Sequence, residues 1–153
     1  MLANFVLGIL MMIINLGIQV VAITLILRYF QRRVERDTYS IGFTDNVLML
    51  STVMGVLIVG HGFMFATWAL LFQWLGEFSD FESAFYHSTV NFTSLGYGDI
   101  VMSPKHRLLG ALEAANGVLM FGLTAGSVLS VMNATFSNNK AFQSLKNHIN
   151  SSD

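Results

Sequence analysis

The chain has 153 residues, of which 54% are apolar and only 11% charged, with a formal net charge of −1 and no cysteine. A soluble domain carries about 25% charged residues, so this composition belongs in lipid. The charge balance argues against a nucleic-acid partner. Without cysteine there is no disulfide and no thiolate metal site.

Three stretches can span a membrane: about Leu2 to Phe30, Val47 to Leu75 and Arg107 to Thr135. Each exceeds the ~20 residues needed to cross the hydrocarbon core. The first has no positive charge before its apolar part, so it reads as a permanent anchor rather than a cleavable signal peptide. Asn4, Asn15 and Gln19 interrupt it and are expected to hydrogen-bond neighbouring helices. Arg28, Arg32, Arg33 and Arg36 follow, irregularly spaced and beside Glu35 and Asp37. That pattern marks a positive-inside anchor, not a voltage-sensing helix with arginines at every third position. Lys140 and Lys146 follow the third span, while Lys105 and Arg107 precede it. The larger basic set is placed in the cytoplasm, which puts the N-terminus outside and the C-terminus inside.

Residues 37–46 read as a cytoplasmic linker in which Thr44 or Asp45 caps the next helix. Gly60-His61-Gly62 falls near the middle of the second span. His61 either titrates as a pH sensor or is a neutral imidazole bonded to a neighbouring helix. Trp68 and Trp74 approach the outer end, where aromatic side chains favour the interface. Gly76 to Asp80 turns the chain, and Asp80 is suited to cap a short helix over Phe81 to Phe92 with Glu82 in its first turn.

Thr93-Ser94-Leu95-Gly96-Tyr97-Gly98-Asp99 follows. It is too polar and glycine-rich for the middle of a membrane helix. Non-helical backbone at membrane depth is tolerated only where protein buries it or where it lines a water-filled path. A dehydrated cation needs oxygen ligands in place of its water. A ring of main-chain carbonyls supplies them if alternate residues take left-handed backbone angles, which glycine does without steric cost. Gly96 and Gly98 stand at alternate positions, and Ser94 could add a hydroxyl oxygen.

These residues resemble the filter of the potassium channel pore-domain family, whose Thr-Val-Gly-Tyr-Gly loops select ions by their carbonyls. The resemblance covers roughly residues 47–136. Phe81 to Phe92 looks like the family's pore helix, and Gly117 with Phe121-Gly122-Leu123 is spaced as in its inner helix with a hinge glycine. The chain departs from the family in having Ser94 for threonine and Leu95 for valine. The resemblance implies an all-α membrane protein with three transmembrane helices, a re-entrant pore helix and a filter loop, assembled as a homotetramer in the cell membrane of a prokaryotic-type cell.

On that reading potassium binds at Ser94, Leu95, Gly96 and Tyr97, with Gly98 completing the filter. Thr93, Asp99, Tyr86 and Glu113 support it, Tyr97 braces the strand, and Leu95 must fit its extra methylene against the pore helix or Glu113. Glu113 could bond the back of the pore helix at Ser88 or Asn91 and tune filter stability, or could be a protonated or snorkelling carboxyl with no effect on conduction. Ala125, Leu129 and Asn133 share one helix face, which by the family's spacing looks into the pore. Glu77, Asp80, Glu82 and Asp99 give the outer side an acidic excess over Lys105 and Arg107, which either concentrates cations or serves capping and headgroup contacts. No cofactor and no soluble regulatory domain are expected, and potassium enters only as the permeant ligand.

The chain divides into an added helix (1–36), the linker (37–46), the pore domain (47–136) and a short cytoplasmic tail (137–153). Two other functions compete with a potassium channel besides a weakly selective cation channel. Gly96-Tyr97-Gly98-Asp99 also matches the Gly-X-Gly-Asp motif of intramembrane aspartyl proteases, but that chemistry needs two aspartates sharing a proton. Asp37, Asp45, Asp80 and Asp153 all lie outside the spanning runs, so no enzyme is expected. A non-conducting accessory subunit would leave the intact filter motif unexplained.

Overall fold

A computed structural model describes residues 1–35 and 43–137 of the chain. Four helices follow in order: α1 (Leu2–Glu35), α2 (Phe43–Trp74), α3 (Phe81–Phe92) and α4 (Arg107–Ser137). There is no strand among the described residues. Helices α1, α2 and α4 are long and apolar enough to cross a membrane, and α3 is a single short helix between the second and third. Most of the expected linker and the tail beyond 137 lie outside the described residues, as do Arg36, Lys140 and Lys146.

The ends of α2 differ from expectation in one respect. The helix begins at Phe43, so Thr44 and Asp45 lie in its first turn and neither caps it. Asp45 still faces the positive end of the helix dipole there. At the far end Gly76 takes φ 76°, its N–H bonds the Gln73 carbonyl, and Glu77 N–H bonds the Phe72 carbonyl. That is the paired-bond stop that a left-handed glycine permits, and it turns the chain toward α3.

Helices α1 and α4 run parallel. Asn4 Nδ2 donates to the Lys105 carbonyl at 2.6 Å, Gly8 meets Leu112, and Gln19 Nε2 donates to Thr124 Oγ1 at 3.0 Å. Helix α2 runs the other way, with Thr67 Oγ1 donating to Asn15 Oδ1 at 2.9 Å and Ala22 beside Gly60. Asn4, Asn15 and Gln19 thus each bond across to a neighbouring segment. One apolar cluster (Met64, Trp68, Phe72, Phe92, Leu109) holds the α3 end of the bundle, and a second (Ile26, Met49, Val53, Leu57, Val131) holds the other end.

Trp68 belongs to the first cluster and is fully buried. The expectation that it lies in an interfacial belt is therefore wrong for Trp68, because α1 and α3 both close over that face of α2. Trp74, by contrast, is 77% exposed at the helix end.

Helix α4 passes Gly117 without a break. A Cβ on Gly117 would overlap the carbonyl oxygen of Phe92, the last residue of α3. Only hydrogen at this position lets α4 approach the end of α3 so closely. Gly122, one turn on, has open space where its Cβ would be. Gly117→Ala is therefore expected to destabilise the fold by about 1–3 kcal/mol through overpacking, while Gly122→Ala leaves it unchanged. Unfolding midpoints of the purified variants in detergent micelles check this, and equal midpoints for both would contradict the close approach.

Candidate functional site

Helix α3 is built to carry the stretch that follows it. Asp80 caps its start, accepting from Ser83 N–H at 2.8 Å and from Ser83 Oγ at 2.9 Å. At its other end the last carbonyls have no helical partners. The chain folds back to supply them. Thr93 N–H and Oγ1 both donate to the Thr89 carbonyl, Ser94 N–H to Asn91 at 2.9 Å, and Leu95 and Gly96 N–H to Val90 at 3.0 and 3.3 Å. The amides of residues 93–96 are thus turned toward α3.

Within this stretch Ser94 has φ 59°, Gly96 φ 60° and Gly98 φ 73°. The alternation starts one step earlier than the glycines alone announce. Ser94 is the one non-glycine residue with positive φ among the described residues, a conformation that costs an L-residue about 1–2 kcal/mol. Serine, unbranched at Cβ, bears this better than threonine. Left-handed angles thus alternate at 94, 96 and 98, while the amides of residues 93–96 bond back to α3. No cluster of three or more His, Cys, Asp or Glu side chains stands together among the described residues.

The outer end of the stretch is tied down behind. Tyr86 Oη donates to Asp99 Oδ2 at 2.7 Å, Asp99 Oδ1 accepts from Ile100 N–H, and His87 Nδ1 donates to the Ile100 carbonyl at 3.0 Å. The Tyr86 hydrogen bond holds the Asp99 carboxyl below its usual range, and the same bond raises the Tyr86 hydroxyl. Beyond it, Glu77 accepts from Ser103 N–H at 2.6 Å, from Ser103 Oγ at 2.7 Å and from His106 Nδ1. Burial pushes the Glu77 carboxyl up, but these hydrogen bonds outweigh it and leave its pKa lowered. Three of the four acidic residues counted on the outer side, Glu77, Asp80 and Asp99, thus have structural partners.

Glu113 is fully buried on α4 behind α3. It meets both residues singled out in the sequence: Asn91 Nδ2 donates to Oε2 at 2.8 Å and to the Gly110 carbonyl at 2.7 Å, and Ser88 Oγ contacts Oε1. Ser88 Oγ also lies 2.9 Å from the Phe65 carbonyl. A hydroxyl has one proton, so both Ser88 contacts are hydrogen bonds only if Glu113 carries a proton and donates it to Ser88. Ser88 then donates onward to Phe65. The carboxyl does not snorkel; it links α4, α3 and α2.

A second polar thread lies deeper. His61 Nδ1 donates to the Leu57 carbonyl at 2.8 Å, which leaves Nε2 to accept from Thr124 Oγ1 at 3.3 Å, and Gln19 donates to Thr124. Its ring also lies 5.0 Å from Phe121. A neutral imidazole satisfies both ring nitrogens. Sequence reading missed Thr124; its only signal is a hydroxyl facing the register of Gln19.

Several expected site residues are uncovered in the single chain. Tyr97 is 68% exposed and Leu95 54% exposed, so within one chain Tyr97 braces no neighbour and Leu95 is not packed away behind the strand. Ala125, Leu129 and Asn133 form an exposed stripe on α4.

A family model described as "Ion channel" matches residues 47–134, more than half of the chain. Neither curated proteins nor solved structures give a match.

Two outcomes are expected. Glu113→Gln keeps a donor for Ser88 and an acceptor for Asn91, so its unfolding midpoint stays near wild type. Glu113→Ala strands both partners and costs about 1–3 kcal/mol. A Gln variant as unstable as Ala, in the same denaturation assay, would refute the protonated link. For Asp99, a lowered folded pKa means stabilisation that is complete above its unfolded value of about 3.9 and lost as pH falls through the lower folded value. Tyr86→Phe should reduce this acid-side loss by its largest part, leaving the share due to the Ile100 N–H, read as the wild-type minus variant midpoint across that pH window.

Proposed function

The chain belongs to the ion channel family, and from that premise we propose that it is a potassium-selective channel conducting passively through a four-fold ring of the Ser94–Gly98 strand. The observation that carries this reading is the alternation of left-handed φ at Ser94, Gly96 and Gly98, with the preceding amides spent on α3. Carbonyl oxygens so aimed replace an ion's hydration shell. One strand per chain cannot surround an ion, so four copies form a homotetramer. Potassium is held at Ser94, Leu95, Gly96 and Tyr97, with Gly98 completing the strand.

The exposure pattern supports this assembly. Tyr97 and Leu95 gain their packing partners from neighbouring copies. The uncovered stripe of Ala125, Leu129 and Asn133 lines the pore below the filter. The C-terminal end of α3 adds a partial negative charge that favours a cation. Thr93, Tyr86, Asp99 and Glu113 act as supports. Gly117 is the point where α4 leaves α3, and bending there opens or closes the pore. The Lys/Arg distribution places the N-terminus outside and the C-terminus in the cytoplasm of a cell membrane.

Purified protein in liposomes tests the reading. A potassium gradient should drive flux, and a sodium gradient should drive far less. Gly98→Ala should abolish flux while the protein still assembles, because the alanine Cβ meets no neighbour within the chain yet resists φ 73°. Normal potassium flux in that variant would remove the filter assignment. Reversal potentials of wild type and the Ser94→Thr/Leu95→Val double variant then measure selectivity, which should rise in the double variant, threonine's stiffer side-chain rotation outweighing its poorer fit to φ 59°. Equal permeability to sodium and potassium in both would leave the weakly selective cation channel instead.

A further inference from the structure

Between α1 and α2, in the half of the bundle away from Ser94–Gly98, lies an open groove of about 430 Å³. Val21, Ala22 and Leu25 line it from α1, and Gly55, Val59 and Phe63 from α2. The one hydroxyl along it, that of Thr52, is already bonded to the Leu48 carbonyl of its own helix. The groove therefore offers only apolar contact. Its depth depends on Gly55, where an added Cβ would meet nothing within 4 Å.

The α1 side of the groove continues into charge. Val21, Leu25, Arg28 and Arg32 recur at helical spacing and are all exposed, so they form one stripe. Arg28 stands about 4.5 Å beyond Leu25 along the axis and Arg32 about 10.5 Å, at 1.5 Å per residue. Neither is ion-paired among the described residues. Arg33 lies nearby with its guanidinium over the Tyr29 ring and one nitrogen buried without a partner. Glu35 at the end of α1 and Asp45 in the first turn of α2 are the acidic residues of this end among the described residues, and against Arg28, Arg32 and Arg33 they leave its sign positive.

An occupant must therefore carry an apolar chain and, about one to two helical turns beyond it, a negative group that suits guanidinium. We infer that the α1–α2 groove binds one acyl chain of an anionic phospholipid whose headgroup phosphate pairs with Arg28 and Arg32. Guanidinium matches phosphate through two parallel N–H···O bonds. Basic pockets between membrane helices select anionic headgroups in this way. A zwitterionic choline headgroup brings a cation to the same arginines and is disfavoured. The α1 wall and its arginines lie outside the matched family region and the α2 wall lies within it; the inference does not rest on ion selectivity.

The test uses the full-length protein, delipidated in detergent and titrated with phosphatidylglycerol or phosphatidylcholine of identical acyl chains, with bound lipid counted by native mass spectrometry. Wild type should bind phosphatidylglycerol at least ten-fold more tightly. The preference should fall about five-fold for each arginine removed and vanish in Arg28→Gln/Arg32→Gln. Gly55→Leu should fill the groove and lose the tight binding with both arginines in place. Gly62→Leu, also substituted into open space, should keep it. Equal binding of the two lipids by wild type overturns the inference. So does wild-type affinity for phosphatidylglycerol in Gly55→Leu, or a preference that survives the loss of both arginines.

Discussion

The rest of the fold depends on one constraint: irregular backbone inside a membrane must find partners for its N–H groups without water. Residues 93–96 meet it by donating to the last carbonyls of α3. Each group solves the other's problem, because a helix end leaves carbonyls unpaired and a non-helical strand leaves amides unpaired. The reciprocal capping fixes the strand against α3 and decides which of its polar atoms remain free. The amides of residues 93–96 are thereby spent on α3.

That arrangement has value only if α3 itself is held still, and three devices do so at different depths. At the level of Phe92, contact with Gly117 brings α4 within backbone distance. Behind the middle of α3, Glu113 joins Ser88 and Asn91 and, through Ser88, the backbone of α2. At the outer end, Tyr86 and His87 hold Asp99 and Ile100, while Glu77 gathers Ser103 and His106. Buried polar networks that are fully satisfied lend such rigidity, and partly satisfied ones are costly. The Glu113 link is of the first kind once the carboxyl carries its proton.

Helix α1 adds a layer to the outer flank of α4. Its bonds to Lys105, Thr67 and Thr124 lie between its N-terminus and its middle, at Asn4, Asn15 and Gln19, and register it there against both neighbours. The thread from Gln19 through Thr124 to His61 ties all three spanning helices together near Phe121. Any movement of α4 below Gly117 must carry or break it.

Much of this was legible in the chain. Three long apolar runs, a capped short helix and a Gly-X-Gly stretch determine three spanning helices, a re-entrant helix and a turn of backbone, because periodicity, capping and glycine angles are local properties. The partners of Glu113 could be named from the sequence because Asn91, Ser88 and a mid-helix carboxyl are polar groups with nowhere else to go in lipid. Other features only the tertiary structure decided. Ser94 takes a left-handed angle because the chain must begin turning back to α3 two residues before the first of the glycines. Trp68 is core rather than interface because α1 and α3 cover it, which no property of α2 reveals. Gly117 is required by the Phe92 carbonyl, and Thr124 matters because Gln19 and His61 converge on it. These are distances between segments far apart in the chain, and residue type alone does not encode them.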